Sequence, residues 1–209
     1  TSLLELERLP ESLIFLGGGY IGVELAQMMA RMSVSVTIVC RSRLLPKTEP
    51  EVSEALTAIL RNEGLTVLDG VTYEVARRDG NRAVLTVAKD GAAQDLAADH
   101  LVLTTGRTPI TESLGLLEMG IDTDRRSAIV VGNDMATTRS GVYAAGDVTD
   151  RDQFVYMAAY GAKLAARNAV LGGAEHYDNA AMPWVVFTDP QVAGVGLTEA
   201  QARAAGHEV

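Results

Sequence analysis

The sequence predicts an α/β fold that is organised around a short parallel sheet, and three observations predict it. An apolar run that ends at Leu16 leads directly into a cluster of glycines, and a helix-like apolar pattern begins immediately after them. A second apolar run, residues 34–40, follows this helix and completes a strand–helix–strand unit of about 30 residues. The dipeptides Asp79-Gly80 and Asp90-Gly91 then join strand-like runs into an antiparallel meander, where a plain repeat would place another crossover helix.

The glycine cluster predicts a dinucleotide-binding site. Gly17, Gly19 and Gly22 occupy the three glycine positions of the G-x-G-x-x-G fingerprint. In that motif the first glycine permits a tight turn, the second lets the backbone approach a pyrophosphate, and the third lets helix and strand pack closely. The phosphates meet the free N–H groups and the positive dipole end of the helix. We therefore predict a Rossmann-like domain, and the alternative is a glycine-rich turn in an ordinary α/β domain.

Apolar periodicity and turn residues place the remaining elements. Residues 1–12, which Pro10 closes, are predicted to be a linker. We expect strands at residues 12–16, 34–40, 65–68, 71–77, 83–88 and 100–104, and helices at residues 20–32, 49–64 and 154–171. Thr198 and Gln201 have capping-box spacing and predict a short final helix. The first helix is expected to bury one face, formed by Ile21, Leu25, Met28 and Met32.

The end of the second strand indicates which dinucleotide is preferred. A site for NAD usually has an acidic residue here, which accepts hydrogen bonds from the ribose hydroxyls. This chain instead has Arg41 and Arg43, with Lys47 shortly after them. A carboxylate would repel a 2′-phosphate, whereas arginine binds it through charge-assisted, fork-like hydrogen bonds. The sequence thus predicts NADP(H) rather than NAD(H), and the alternative is that these are solvated loop charges.

Composition and charge exclude several classes of function. Hydrophobic residues make up 47% and charged residues 22%, which is typical of a globular protein, and the net charge of −9 disfavours a nucleic-acid or anionic-membrane partner. Cys40 is the only cysteine, so an internal disulfide, a C-x-x-C pair and a cysteine zinc site are excluded. We expect Cys40 to be a buried thiol, and the three histidines suggest no metal site. No secretory signal or membrane span is evident, so a cytoplasmic location is expected.

Two later motifs follow predicted strand ends. One is T-T-G-R-T-P at residues 104–109, and the other is Y-A-A-G-D at residues 143–147. A carboxylate at Asp147 can accept hydrogen bonds from a polyol chain, and Gly146 leaves room for that chain. By itself, a Gly-Asp pair after a strand is equally consistent with a helix cap.

In this order, the glycine fingerprint and these two motifs closely resemble the flavoprotein disulfide reductases. Within that family the resemblance is to the mercuric reductases, through D-Q-F-V-Y-M-A-A at residues 152–159 and M-P-W-V-V-F-T-D-P-Q-V-A at residues 182–193. The resemblance implies that residues 13–131 form the NAD(P)-binding domain and residues 132–175 a returning part of the FAD-binding domain. It also implies that residues 176–209 begin an α+β dimerisation domain, and that the parent is a homodimer.

The resemblance further implies a reaction, in which NADPH passes a hydride to FAD and a cysteine pair then delivers electrons to Hg(II). The N-terminal flavin fingerprint and both cysteine pairs of such an enzyme are absent from these 209 residues. We therefore expect a central segment of the enzyme that is inactive by itself. Two alternatives stay open, namely a segment of a dihydrolipoamide dehydrogenase or glutathione-reductase-like enzyme, and a stand-alone NADPH-binding module.

Site residues follow from the motifs together with the resemblance. Tyr20 matches the position that covers the flavin ring, and Glu24 the position that pairs with a flavin-side lysine; these two are the predicted catalytic residues. The alternatives are a partly buried tyrosine and a first-turn glutamate that serves the helix dipole. The predicted cofactor-binding residues are Gly17, Gly19, Tyr20, Ile21, Gly22, Glu24, Arg41, Arg43, Lys47, Thr105, Gly106, Arg107, Gly146, Asp147, Phe154 and Val155.

Overall fold

A computed structural model describes residues 2–173 and 175–209, so residue 1 of the predicted linker lies outside the described part. The chain forms two compact units. The first extends to Gly106 and resumes at Met182, and the second is Arg107–Ala181.

The first unit contains the predicted parallel sheet. Its strands are β1 (Ser12–Leu16), β2 (Ser35–Val39), β3 (Thr66–Leu68) and β7 (His100–Leu103). They lie in the order β3-β2-β1-β7, and every neighbouring pair is parallel. Helices α1 (Tyr20–Arg31) and α2 (Pro50–Asn62) connect the first three strands. The predicted α/β fold is therefore confirmed.

The predicted meander is a second sheet of three antiparallel strands. These are β4 (Thr72–Asp79), β5 (Arg82–Lys89) and β6 (Ala92–Ala98), with β5 in the centre. Asp90 and Gly91 both have positive φ, at 52° and 80°, which matches the type I′ hairpin turn that their sequence indicates. Strand β6 was not predicted as a strand of its own, because its alanine-rich sequence has no β preference. It is extended because it pairs with β5 along its whole length.

Apolar side chains of the parallel sheet and its two helices form the main core of this unit. Phe15, Ile38 and Leu60 have no exposed surface, and Val186 from the C-terminal part of the unit joins them. The other face of the sheet packs against the meander through a second cluster that includes Ile14 and Val87. Because the parallel sheet is buried on both faces, the sequences of β1 and β2 are nearly continuous apolar runs.

Helix α1 buries a different face from the one predicted. The predicted face was wrong for Ile21, Met28 and Met32, which are 38–40% exposed. It was right only for Leu25, which is partly buried and packs against the core. The residues that α1 buries are Gly22, Val23, Ala26, Gln27 and Met29, of which Gly22 and Ala26 are small. Small side chains let the helix approach the sheet closely, which outweighs the hydrophobicity of the larger residues one position away.

The C-terminal part of the first unit contains strands β8 (Pro183–Val186) and β9 (Val192–Val195), which pair antiparallel. Helix α4 (Glu199–Ala204) follows. The Thr198 hydroxyl accepts from the Gln201 amide and the Gln201 side chain accepts from the Thr198 amide, so the predicted capping box is confirmed.

The second unit is built from loops, short 3-10 turns and one long helix, α3 (Val155–Leu171), as predicted. Residues 141–148 do not follow a strand, contrary to expectation. Among the described residues this region pairs only through isolated bridges, such as Ala136 with Tyr143, and Asp147–Thr149 form a 3-10 turn. A single bridge lacks the neighbouring ladder bonds that define a strand.

No helix in the described ranges is both long and apolar enough to cross a membrane.

Candidate functional site

The glycine loop between β1 and α1 has the geometry that its fingerprint predicts. Gly17 has φ +117°, and its amide donates to the Val39 carbonyl at 2.8 Å, which makes the turn tight. A Cβ on Gly22 would lie 2.4 Å from the Gly17 carbonyl oxygen and 2.8 Å from Thr104 Oγ1, so a side chain cannot fit. A Cβ on Gly19 would meet no atom within 4 Å. Backbone is thus open to close approach at the second glycine, where a pyrophosphate would lie.

Thr104, just beyond β7, holds this loop in place. Its amide donates to the Leu16 carbonyl at 2.9 Å, and its hydroxyl lies 3.0 Å from the Leu16 oxygen and 3.2 Å from the Gly17 oxygen. The first residue of the T-T-G-R-T-P motif is therefore part of the glycine-loop structure. Thr105 and Gly106, which were predicted to bind cofactor, are exposed and end this stretch of the first unit.

The basic residues after β2 have different roles in the structure. Arg41 is exposed, and its guanidinium forms no ion pair or hydrogen bond with the described residues. The guanidinium lies over the Tyr73 ring, 5.7 Å from the centroid. The Arg43 guanidinium instead donates to the Thr48 carbonyl at 2.8 Å and the Pro46 carbonyl at 3.3 Å. Arg43 thus holds its own loop, and Arg41 is the better placed of the two to bind an anion.

Tyr20 and Glu24 both contact the C-terminal part of their unit. The Tyr20 ring stacks on Trp184 at a centroid distance of 5.9 Å, and Tyr20 is partly buried. The Glu24 carboxylate accepts from the Phe187 amide at 2.7 Å. Glu24 is the fifth residue of α1, and no acidic residue lies in the first turn, so the alternative of a dipole-serving first-turn glutamate is wrong. The catalytic roles of Tyr20 and Glu24 stay predictions.

Cys40 is a buried thiol, as expected. It is 4% exposed and its Sγ donates to the Ser42 carbonyl at 3.3 Å. Burial, with a smaller effect from the negative charge of Asp69, raises the pKa of the Cys40 thiol to about 11. A neutral, enclosed thiol is a poor nucleophile and a poor metal ligand.

The second unit has a separate pocket of about 530 Å³ at Asp147. Arg107 donates to the Asp147 carboxylate at 3.0 Å, so two of the predicted motif residues form an ion pair here. Gly146 is the N-cap residue of the 3-10 turn and has φ +82°, so the helix-cap alternative fits the backbone here, and a cofactor-binding role for Asp147 stays a prediction. The remaining lining residues are Thr108, Pro109, Ile110, Val148 and Gln153.

Phe154 and Val155 lie at the start of α3. Phe154 is the N-cap residue and stacks on Tyr156 at a centroid distance of 5.3 Å, while Val155 is 84% exposed. Neither residue is among the described residues that line the Asp147 pocket, and their cofactor-binding role stays a prediction. Gln153, one residue earlier, does line the pocket.

Sequence reasoning missed two residues that contribute to these sites. Tyr73 reaches the end of β2 from the meander, and Gln153 joins the Asp147 pocket. Neither belongs to a glycine or arginine motif. The only signal for Tyr73 was an aromatic residue at the start of a strand, which is common in sheets.

Comparison with known proteins agrees with this arrangement. The family model for pyridine nucleotide-disulphide oxidoreductases matches residues 1–168, and the model for the dimerisation domain of that family matches residues 182–209. The chain belongs to the pyridine nucleotide-disulphide oxidoreductase family.

Several curated members of this family align along nearly the whole chain. The mercuric reductase of Bacillus cereus is 44% identical over 100% of this chain and 33% of its own length, and that of Streptomyces lividans is 43% identical over 99% and 44%. The chain therefore spans between a third and a half of the length of these relatives. Among solved structures, the HOCl-induced flavoprotein disulfide reductase RclA of Escherichia coli is 36% identical, with a TM-score of 0.88. The alignment covers 100% of this chain and 47% of the RclA chain.

Proposed function

We propose that this chain is the nicotinamide-binding part of a flavin-dependent reductase of the mercuric type. Residues 13–131 would bind NADPH, residues 132–175 would belong to a flavin-binding domain, and residues 176–209 would begin a dimerisation domain that pairs two copies. The observation that carries the proposal is the glycine loop at the start of α1, with the unpaired Arg41 guanidinium at the neighbouring strand end. These three ranges follow the sequence motifs and not the two compact units, because residues 107–131 and 176–181 lie in the second unit.

The geometry of the first unit fits a pyrophosphate and a phosphorylated ribose. The open backbone at Gly19 supplies a path for close approach, and no side chain caps the helix that begins after it. Arg41 supplies a positive charge with no carboxylate partner in the described ranges, and Lys47 is exposed nearby in sequence. This combination favours NADPH over NADH.

Each unit, considered by itself, contains a group that would serve a flavin. When bound, the flavin accepts a hydride from the reduced nicotinamide and passes electrons onward. Tyr20, stacked on Trp184, presents an aromatic ring beside the glycine loop, and the Asp147 carboxylate is held by Arg107 with one oxygen left to accept from a polyol. The phosphate site of a flavin would need a further glycine loop, so we expect this chain to bind FAD poorly by itself.

The substrate proposed for the whole enzyme is Hg(II), because the aligned curated relatives are mercuric reductases. A soft metal ion is bound by thiolates. The single thiol here, Cys40, is buried and protonated at neutral pH. We therefore expect residues 1–209 to produce no NADPH-dependent mercury vapour, and the longer enzyme that carries paired cysteines to produce it.

Titration of the chain with NADPH and NADH tests the cofactor proposal. Arg41→Glu should weaken NADPH binding by about 1–3 kcal/mol, the range for hydrogen bonds to charged groups, and should leave NADH affinity nearly unchanged. Arg8→Glu is a matched control, because Arg8 is exposed and lies in the predicted linker, outside residues 13–131. Tighter binding of NADH than of NADPH by the unmodified chain would refute the preference.

A second experiment tests the substrate. The full-length enzyme, purified with its flavin, is assayed for NADPH-dependent mercury release and for reduction of lipoamide and glutathione disulfide. Mercury release supports the proposal. Reduction of a disulfide without mercury release would leave only the family assignment.

A further inference from the structure

One tyrosine connects the glycine loop to the arginine at the end of β2. Tyr73 lies on β4 of the meander and is half-buried. Its hydroxyl donates to the Val39 carbonyl at 3.2 Å, and the same carbonyl accepts the Gly17 amide at 2.8 Å. The ring is therefore fixed by the same backbone oxygen that fixes the first glycine of the fingerprint.

The Tyr73 ring also holds the Arg41 side chain. The guanidinium carbon lies over the ring at 5.7 Å from its centroid, within the range of a cation–π interaction. The Arg41 guanidinium has no hydrogen bond or ion pair with the described residues, so this ring is the contact that restricts its rotamers. A guanidinium that stacks on an aromatic face keeps its N–H donors available for an anion.

The backbone that carries Arg41 is fixed as well. The Cys40 amide donates to the Leu68 carbonyl at 2.9 Å, and the Val71 amide donates back to the Cys40 carbonyl at 3.3 Å. One residue beyond Arg41, the Ser42 carbonyl accepts the Gly70 amide at 3.0 Å. With the main chain held on both sides, the direction of the Arg41 side chain depends on the aromatic contact.

We propose that Tyr73 is a positioning residue for NADPH, which holds Arg41 where a 2′-phosphate would bind and so sets the preference for NADPH over NADH. This inference rests on the cofactor preference proposed above. Burial raises the pKa of Tyr73, so its hydroxyl stays protonated and keeps donating to the Val39 carbonyl at neutral pH.

The test measures dissociation constants of NADPH and NADH for the whole 209-residue chain and its variants. Tyr73→Leu removes the ring and should reduce the NADPH-to-NADH preference by roughly two- to fivefold, the equivalent of an exposed cation–π contact. Tyr73→Phe keeps the ring and should retain most of the preference. A purely structural role for Tyr73 would instead weaken both dinucleotides equally, and that result would overturn the inference.

A double-mutant cycle separates positioning from a direct effect. In an Arg41→Gln background the preference should already be low, and Tyr73→Leu should then change it no further. A full additional loss would show that Tyr73 does not act through Arg41. If the unmodified chain has no preference for NADPH, the proposed function fails and this inference fails with it. If the unmodified chain prefers NADPH and Tyr73→Leu keeps that preference, the positioning role of Tyr73 is refuted while the proposed function stands.

A second readout keeps the inference testable if Tyr73→Leu does not fold. In the unmodified chain, the ring current of Tyr73 should shift the NMR resonances of the Arg41 guanidinium. Addition of NADPH should move those resonances further, and NADH should not. Unshifted resonances, or equal responses to the two dinucleotides, would overturn the inference.

Discussion

Substitution by alanine should destabilise the fold at Gly22 but leave its stability nearly unchanged at Gly19, although both glycines belong to the fingerprint. A Cβ on Gly22 would lie 2.4 Å from the Gly17 carbonyl oxygen, which is backbone and cannot rotate away. Overpacking of this kind costs about 1–3 kcal/mol, whereas alanine in place of glycine in a helix gains about 1 kcal/mol. Because the clash is with backbone, we take the upper end and expect Gly22→Ala to destabilise the unit by about 2 kcal/mol.

Gly19→Ala is the matched control. Gly19 has φ −79° and ψ −179°, a conformation open to any residue, and its Cβ would meet no atom within 4 Å. We expect Gly19→Ala to change the free energy of unfolding by less than about 0.5 kcal/mol, as for an ordinary surface substitution. Its methyl group would nevertheless lie where a pyrophosphate approaches, so dinucleotide affinity should fall in both variants.

Urea unfolding, followed by circular dichroism and linear extrapolation, measures both free energies. For a chain of this length, the Gly22→Ala loss corresponds to a decrease in Tm of about 4–8 °C. NADPH titration of the folded variants then reports binding separately from stability. Equal stability losses in the two variants would refute the assignment of close packing to Gly22, and unimpaired binding by Gly19→Ala would refute the pyrophosphate position.

Two further predictions concern ionisable groups. The Asp99 carboxylate accepts hydrogen bonds from the Ser12 and Glu11 amides, and the Ser12 hydrogen bond in particular holds the pKa of Asp99 below its usual range. The stabilisation that the ionised Asp99 provides should be present above about pH 4 and lost as the pH falls through the lowered pKa. The gap in urea midpoint between the unmodified chain and Asp99→Ala should therefore shrink from pH 7 to pH 2.5, and a constant gap would contradict this. Burial raises the pKa of Cys40 to about 11, so its thiolate fraction at pH 7 is roughly 100-fold below that of a free cysteine. Cys40 should therefore react with a disulfide reagent at pH 7 only after unfolding, and rapid labelling of the native chain would contradict its enclosure.

The elements at the glycine fingerprint were predictable because their determinants are local. The order of apolar run, glycine turn and helix lies within twenty residues of sequence, and the strand and helix were found almost at their predicted bounds. The type I′ turn at Asp90-Gly91 was predictable for the same reason, since two adjacent residues fix its backbone.

The features that sequence did not predict depend on partners far along the chain. Strand β6 is extended because β5 pairs with it, although its own sequence favours helix. The buried face of α1 is set by close approach to the sheet, which the sizes of Gly22 and Ala26 permit. Likewise, nothing local to Arg41 and Arg43 indicates that one stacks on Tyr73 while the other binds loop carbonyls. Arginine motifs identify candidates, and long-range packing selects among them.

Gln27 illustrates the same dependence and supports a last prediction. This glutamine is 3% exposed on α1, and it forms a two-way hydrogen-bonded pair with the backbone of Asp189, donating to its carbonyl at 2.8 Å and accepting its amide at 2.8 Å. It also donates to the Glu63 carboxylate at 3.0 Å. A buried polar side chain on the apolar face of a helix is thus explained by a segment more than 160 residues away.

Replacement of Gln27 by methionine keeps the approximate volume and removes all three hydrogen bonds. Each such bond contributes about 0.5–1.5 kcal/mol, and because Asp189 and Glu63 are exposed, water replaces part of the loss. We therefore expect destabilisation by about 2 kcal/mol, together with faster hydrogen exchange at the Asp189 amide. Gln94→Met, on an exposed glutamine of β6, is the matched control and should change neither quantity. The Asp189 amide donates to Gln27 Oε1, so protection of this amide that survives Gln27→Met would show that the Gln27 hydrogen bonds do not hold the segment between β8 and β9.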